Sequence, residues 1–182
     1  MEDEKMKKIN KQGLHLCDLQ AKTFESSIDL TSVSSEIFIR RFMNSQTAKL
    51  LDNASVLHTN LHEKDFLSMI EEEYGSSKYG SVKYTHNEMF WIGYLYRYFC
   101  YTYELTSVQV YKIVKPKELR GLFLGYHSMD PAQAIERILE AKGLLLDEES
   151  DDDMREMLKE ELIKRGINVK VSRAAYDSVS DV

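Results

Sequence analysis

The chain has 182 residues, of which 43% are hydrophobic and 30% charged, ordinary values for a soluble globular protein long enough to bury a sizeable core. Two cysteines, Cys17 and Cys100, exclude a disulfide framework, and two prolines with eight glycines leave little punctuation for a β-rich fold. The net charge of −6 is unevenly placed. Asp147 to Glu161 holds nine acidic residues against Arg155 and Lys159, which argues against nucleic acid as that segment's partner.

The N-terminal residues EDEKMKKINKQ are polar throughout and form no charged-then-apolar signal segment, so a reducing, cytoplasmic compartment is expected. Residues 4 to about 24 are helix-prone, with Met6, Ile9, Leu16 and Leu19 forming an imperfect stripe around Gly13. Ser34-Ser35-Glu36 starts a second helix through Phe38 and Phe42, and residues 45–51 continue as a short helix or turn. Asn60 with Glu63 three residues on has the form of a capping box for a helix through Phe66, Met69, Ile70 and Tyr74, which Gly75 stops. Residues 76–84 read as a polar loop.

The longest apolar segment follows. Thr85 with Glu88 forms a capping box, and between Met89 and Tyr103 the only charged side chain is Arg97. A helix that is apolar all round is covered on all sides, so the spacing predicts a central helix over about 86–103. Its apolar stretch falls about five residues short of the roughly 20 that a bilayer requires, and Arg97 at mid-bilayer would cost at least ~2.5–3.5 kcal/mol. No membrane span is expected. Thr106 with Gln109 opens a short helix, Pro116 ends it and begins the next, and Asp130-Pro131-Ala132-Gln133 starts another that Gly143 closes. After Leu144 the composition shifts to an acidic helix with a narrow stripe of Met154, Met157, Leu158 and Leu162, ending at Gly166, followed by an alternating stretch at 167–171 that suits a short edge strand.

These elements predict an all-α fold: an irregular helical bundle around the 86–103 helix, as a domain over 1–143, with an acidic amphipathic helix and tail over 144–182. The tail helix is read as a partner-binding arm, its contacts assigned to Asp151, Asp152, Asp153, Met154, Met157, Leu158 and Leu162, or equally as a helix that docks permanently on the bundle with its acids in water. Such a narrow apolar stripe suits a groove, and flanking acids suit a basic target.

Other patterns point less far. His58 and His62 are four apart, but no Cys or carboxylate cluster completes a metal set, and Phe66 breaks the HExxH pattern. The acids from Asp147 do not make a calcium loop, because the sixth and twelfth positions are Asp152 and Leu158. Residues 106–127 carry Lys112, Lys115, Lys117 and Arg120 against Glu118, and the helices over 107–124 have the size of a helix-turn-helix. That gives a second reading, a DNA-binding repressor. A third is an enzyme with an anion site at Arg97, with Tyr94, Tyr126 and His127 near it. The commoner role of a lone Arg in such a helix is a buried ion pair with Glu104 or a carboxylate from a neighbouring helix. No phosphate loop, nucleophile elbow or cofactor motif is present, so neither catalysis nor a cofactor is expected.

Trp91-Ile92-Gly93-Tyr94, Tyr96-Arg97-Tyr98, Lys115-Pro116-Lys117-Glu118-Leu119-Arg120, Tyr126-His127 and Asp130-Pro131 with Gln133-Ala134-Ile135-Glu136-Arg137, together with SSEIFIRRFMNSQTAKLLD upstream, carry a resemblance covering residues 34–143. The chain resembles a family of small helical proteins of Firmicute-type bacteria, similar to antitoxin-like partners encoded beside a toxin of the ADP-ribosyltransferase fold. No motif of that family reports a chemistry. The resemblance therefore implies a protein partner, a toxin encoded nearby, and no active site. Oligomeric state is open.

Overall fold

The computed structural model describes residues 9–144 and 151–167, with side chains described from 156 onward in the second stretch. Among the described residues the fold is all-helical and contains no strand. The order is α1 (Lys11–Leu30), α2 (Ser35–Met43), α3 (Gln46–Asp52), a 3₁₀ turn (Ser55–His58), α4 (Glu63–Tyr74), α5 (His86–Tyr103), α6 (Ser107–Ile113), α7 (Pro116–Tyr126), α8 (Pro131–Ala141) and α9 (Asp151–Lys164). No described helix is long and apolar enough to cross a membrane. The edge strand expected at 167–171 lies outside the described residues beyond Ile167.

Local chemistry sets most helix starts. Thr85 Oγ1 accepts from Glu88 N while the Glu88 carboxylate accepts from Thr85 N, and Thr106 with Gln109 repeats the arrangement for α6. Pro116 and Pro131 occupy first helical turns, where no amide proton is missed. Asp130 caps α8 by accepting from Ala132 N at 2.9 Å. One start differs from expectation: α4 is capped at His62, whose amide donates to Asp65 at 2.8 Å, and Asn60 stays in the connector before it.

The bundle is organised by α1 lying along α5. Gly93 makes the approach close: a Cβ there would sit 2.9 Å from the Gln20 carbonyl oxygen and 3.0 Å from Ala21 Cα. Gln20 Nε2 donates to Gly93 O across this seam at 3.2 Å. Beside it Phe24, fully buried, meets Phe38 and Phe42 of α2 edge-on at ring separations of 5.6 and 5.0 Å. On the far side Tyr96 Oη donates to Val114 O at 2.7 Å, fixing α6 to α5. Cys17 and Cys100 are buried in this core, and burial pushes both thiols up to about 12. Thiolate chemistry is thereby suppressed near neutrality.

The 75–85 loop fastens two helix ends. Its Tyr79 and Val82 carbonyls accept from Ser34 N and Ser35 N at the start of α2. Lys83 Nζ donates to Thr31 O at 2.8 Å, covering the end of α1. Gly80 has φ +74°, and a Cβ there would strike Ser34 at 2.7 Å, so both backbone conformation and space require glycine.

The expectation that α5 is covered on every side needs correction. Phe90, Tyr94 and Tyr98, one turn apart, are only half-buried, and their rings stack in series at 6.5 and 6.4 Å. The acidic helix also differs from a free arm. Leu158 and Leu162 are 4% and 0% exposed and belong to the bundle's own apolar core, and Arg165 Nη2 donates to Lys142 O at 3.2 Å beside the end of α8. Two leucines a turn apart suffice to seat a narrow stripe.

Helix α7 carries a contrasting glycine. A Cβ on Gly121 would meet nothing within 4 Å. We expect Gly121→Ala to stabilise the protein by about 0.5–1 kcal/mol through helix propensity alone, measured by urea unfolding. A loss of stability would show that Gly121 packs against something within the chain.

Candidate functional site

Two places combine polar or aromatic side chains in ways that chemistry can use. The first is interior. Arg97 is 1% exposed, and its guanidinium donates from Nε to Gln20 Oε1 at 2.8 Å, from Nη1 to Asp52 Oδ1 at 2.7 Å and from Nη2 to Ser107 Oγ at 2.7 Å. Ser107 Oγ in turn donates to Asp52 Oδ1 at 2.6 Å, and Ser107 N donates to the same carboxylate at 3.1 Å. Asp52 ends α3, Ser107 begins α6 and Gln20 lies mid-α1. The network therefore ties three helices to α5. The carboxylate also sits at the positive end of α6, where a negative charge is favoured.

Arg97 is thus the buried ion pair expected, with the carboxylate supplied by a neighbouring helix. It is not an open anion site: the side chain is 1% exposed, and each of its three guanidinium nitrogens donates to a protein acceptor. The neighbours suggested for it go elsewhere. Tyr94 and His127 line a surface groove to which Arg97 does not contribute, and Tyr126 is half-buried at the end of α7.

The second place is on the surface. Asn87, Phe90, Trp91 and Tyr94 of α5, Phe123 and Leu124 of α7 with His127 just after it, and Met129 with Pro131 at the start of α8 line an open groove of about 600 Å³. This volume falls in the range of ligand-binding clefts, and its apolar walls with a few polar groups are their usual chemistry. Helix geometry explains the wall: Phe90 and Tyr94 are one turn apart on α5, while Phe123 and His127 repeat the spacing on α7. Trp91 meets Phe123 edge-on at 5.8 Å, and the His127 ring stacks on Phe123 at 4.6 Å. His127 Nδ1 lies 2.8 Å from Phe123 O, which fixes the ring at the helix end. Leu124 is 85% exposed at the rim.

Asp130 lies between the lining residues Met129 and Pro131. Burial foremost, then the neighbouring Asp130, pushes the Tyr98 hydroxyl up to about 12. Tyr94 is raised by burial first, then by Cys17, with Asp18 and Asp130 adding to it.

The remaining expected residues are dispersed. Asp151, Asp152, Asp153 and Met154 form the first turn of α9, with side chains outside those described. Met157 is half-buried, while Leu158 and Leu162 are consumed by the core. No group of three His, Cys, Asp or Glu side chains among the described residues is placed to hold a metal ion, and His58 and His62 fall on the 3₁₀ turn and the α4 cap.

The basic segment over 107–124 is largely committed internally. Arg120 pairs with Glu88 at 3.0 Å and lies over the Tyr84 ring, Lys115 stands 4.0 Å from the Tyr111 ring centre, and Leu119 is buried. Lys112 and Lys117 remain exposed. We therefore expect no duplex DNA binding at physiological salt. A gel shift that weakened by about 0.9 log unit per phosphate contact per log unit of salt, and that vanished on neutralising Lys112, Lys117 and Arg120, would restore the DNA reading.

Comparison of the chain with protein-family models, with curated proteins and with solved structures finds no match.

Proposed function

We propose that this is a non-catalytic, protein-binding helical module acting in the cytoplasm, the neutralising partner of a bacterial toxin encoded nearby. The observation that carries the binding reading is the aromatic groove between α5, α7 and α8, open and rimmed by the 85%-exposed Leu124. Exposed apolar surface of this kind costs solubility and is characteristic of interaction sites, and aromatic anchors concentrate binding energy at protein interfaces. The toxin-neutralising role rests on the resemblance carried by Trp91 to Arg137. The reading of Arg97 as an enzyme's anion site loses support, because the side chain is buried and each of its nitrogens already donates to Gln20, Asp52 or Ser107.

The test is co-expression with the product of the adjacent gene, followed by size exclusion. Stoichiometric co-elution, with loss of the partner's toxicity, is the expected result. Separate elution with toxicity unaffected would refute the reading.

A further inference from the structure

We infer that the pocket between the end of α1, α2 and the end of α4 binds a short aliphatic α-amino acid as its zwitterion. This goes beyond the proposed function, since the pocket shares no lining residue with the α5–α7–α8 groove.

Size bounds the ligand first. The pocket encloses about 60 Å³, room for about four to six non-hydrogen atoms at ~10–15 Å³ for each water-sized group. A nucleotide, a sugar or a partner helix is too large. A branched aliphatic stem fits, with its charged ends at the mouth.

Three chemistries then select it. The floor is apolar: Val33, Phe38, Leu67 and Ile70 line the pocket and are at most 7% exposed. Arg41 of α2 lines it too and brings a positive charge. Its Nη1 donates to Gly75 O at 3.1 Å and its guanidinium lies over the Tyr74 ring, contacts that hold the group in place. Among the described residues its Nε and Nη2 donate to no protein acceptor, and these two form the edge that suits a carboxylate. Glu71 of α4, also in the lining, brings a negative charge. Its Oε1 accepts from Ser76 Oγ, and its Oε2 has no protein donor among the described residues. No ion pair joins Arg41 to Glu71 among the described residues. An amine alone leaves Arg41 unanswered, and a carboxylate alone leaves Glu71 so. A zwitterion answers both while its side chain takes the floor.

L-Valine, isobutylamine and isovalerate share one branched end and differ in the charges they carry. Each is titrated into the full-length protein by calorimetry at neutral pH, with amide NMR shifts locating the site. Valine should bind saturably and shift Gly75, Ser76 and Ser77. Each analogue should bind at least about tenfold more weakly, as expected when a hydrogen bond to a charged group is lost. Glu71→Gln should weaken valine by a similar factor and leave isovalerate unchanged, whereas Arg41→Met should weaken valine and spare isobutylamine. Arg41→Lys should keep part of the valine affinity, since it keeps the charge but not the paired donors. Glu71 is exposed and Arg41 half-buried, so urea midpoints should stay in place.

No saturable valine binding, equal affinity for the three compounds, or shifts confined to the α5–α7–α8 groove would each overturn the inference. So would valine binding that survives both Glu71→Gln and Arg41→Met. The three compounds on the wild-type chain decide the matter even where a variant fails to fold. Co-elution with a toxin bears on none of these outcomes.

Discussion

Replacing Arg97 by Met is expected to cost about 3 kcal/mol, the lower part of the ~3–5 kcal/mol typical when one member of a buried pair is removed. The reason lies in what remains. Asp52 would keep the donors of Ser107 but lose its cation, and Gln20 Oε1 would lose its donor inside the core. The moderate position within the range follows from Asp52 itself, whose side chain is 14% exposed and so retains some solvent. Arg97→Lys should fall between wild type and Arg97→Met, because one ammonium cannot reach three acceptors in the planar arrangement that the guanidinium serves. Adding Asp52→Asn to Arg97→Met should recover part of the loss by removing the unpaired charge. Urea midpoints of the set check this. A wild-type midpoint for Arg97→Met would mean that the network contributes nothing to folding.

The second large effect belongs to Gly93. Gly93→Ala should destabilise by up to about 2 kcal/mol: overpacking costs ~1–3 kcal/mol, and roughly 1 kcal/mol returns through helix propensity. The methyl group would meet backbone of α1 at 2.9 and 3.0 Å, together with the Phe24 ring at 2.9 Å. Backbone cannot rotate away as a side-chain tip can, so α1 must move off α5 and strain the Gln20 contacts. Gly93→Val should cost more. The same Gly-to-Ala change on α7 at Gly121 carries the opposite expected sign, so the two variants in one unfolding series separate packing from propensity. Equal effects at both positions would contradict the close α1–α5 seam.

The helical class was legible because its signals are local. The start at Thr85 is written within four residues, as are those at Thr106, Pro116 and Asp130. Asn60 misled because two overlapping patterns compete there, Asn60 with Glu63 and His62 with Asp65, and the Asp65 carboxylate reaching the His62 amide decides for the second. Arg97 could be read as buried from its solitude among apolar neighbours. Its partner could not, since Asp52 is 45 residues away and only the packing of α3 on α5 and α6 brings it in.

The groove was missed for a physical reason. On a helical wheel Tyr94 and Tyr98 count as apolar, yet a tyrosine tolerates a wet hydroxyl while burying its ring. A ladder of such rings can therefore stand half-exposed where leucines would demand cover. For α9 the acidic composition left arm and docked helix equally open, and the burial of Leu158 and Leu162 favours docking. His127 was marked as a residue of interest but grouped with Arg97, because both stand out along the chain. The structure separates them: His127 lines the surface groove, while Arg97 is buried among Gln20, Asp52 and Ser107.

The central claim, that this chain works by binding a protein through the α5–α7–α8 groove, is tested most directly by co-purifying wild type and Leu124→Asp with the product of the adjacent gene. Leu124 is 85% exposed, so its replacement should leave folding intact, as the urea midpoint will report. The account predicts a complex for wild type and none for a folded Leu124→Asp variant. A Leu124→Asp variant that retains the partner at wild-type stoichiometry would contradict it.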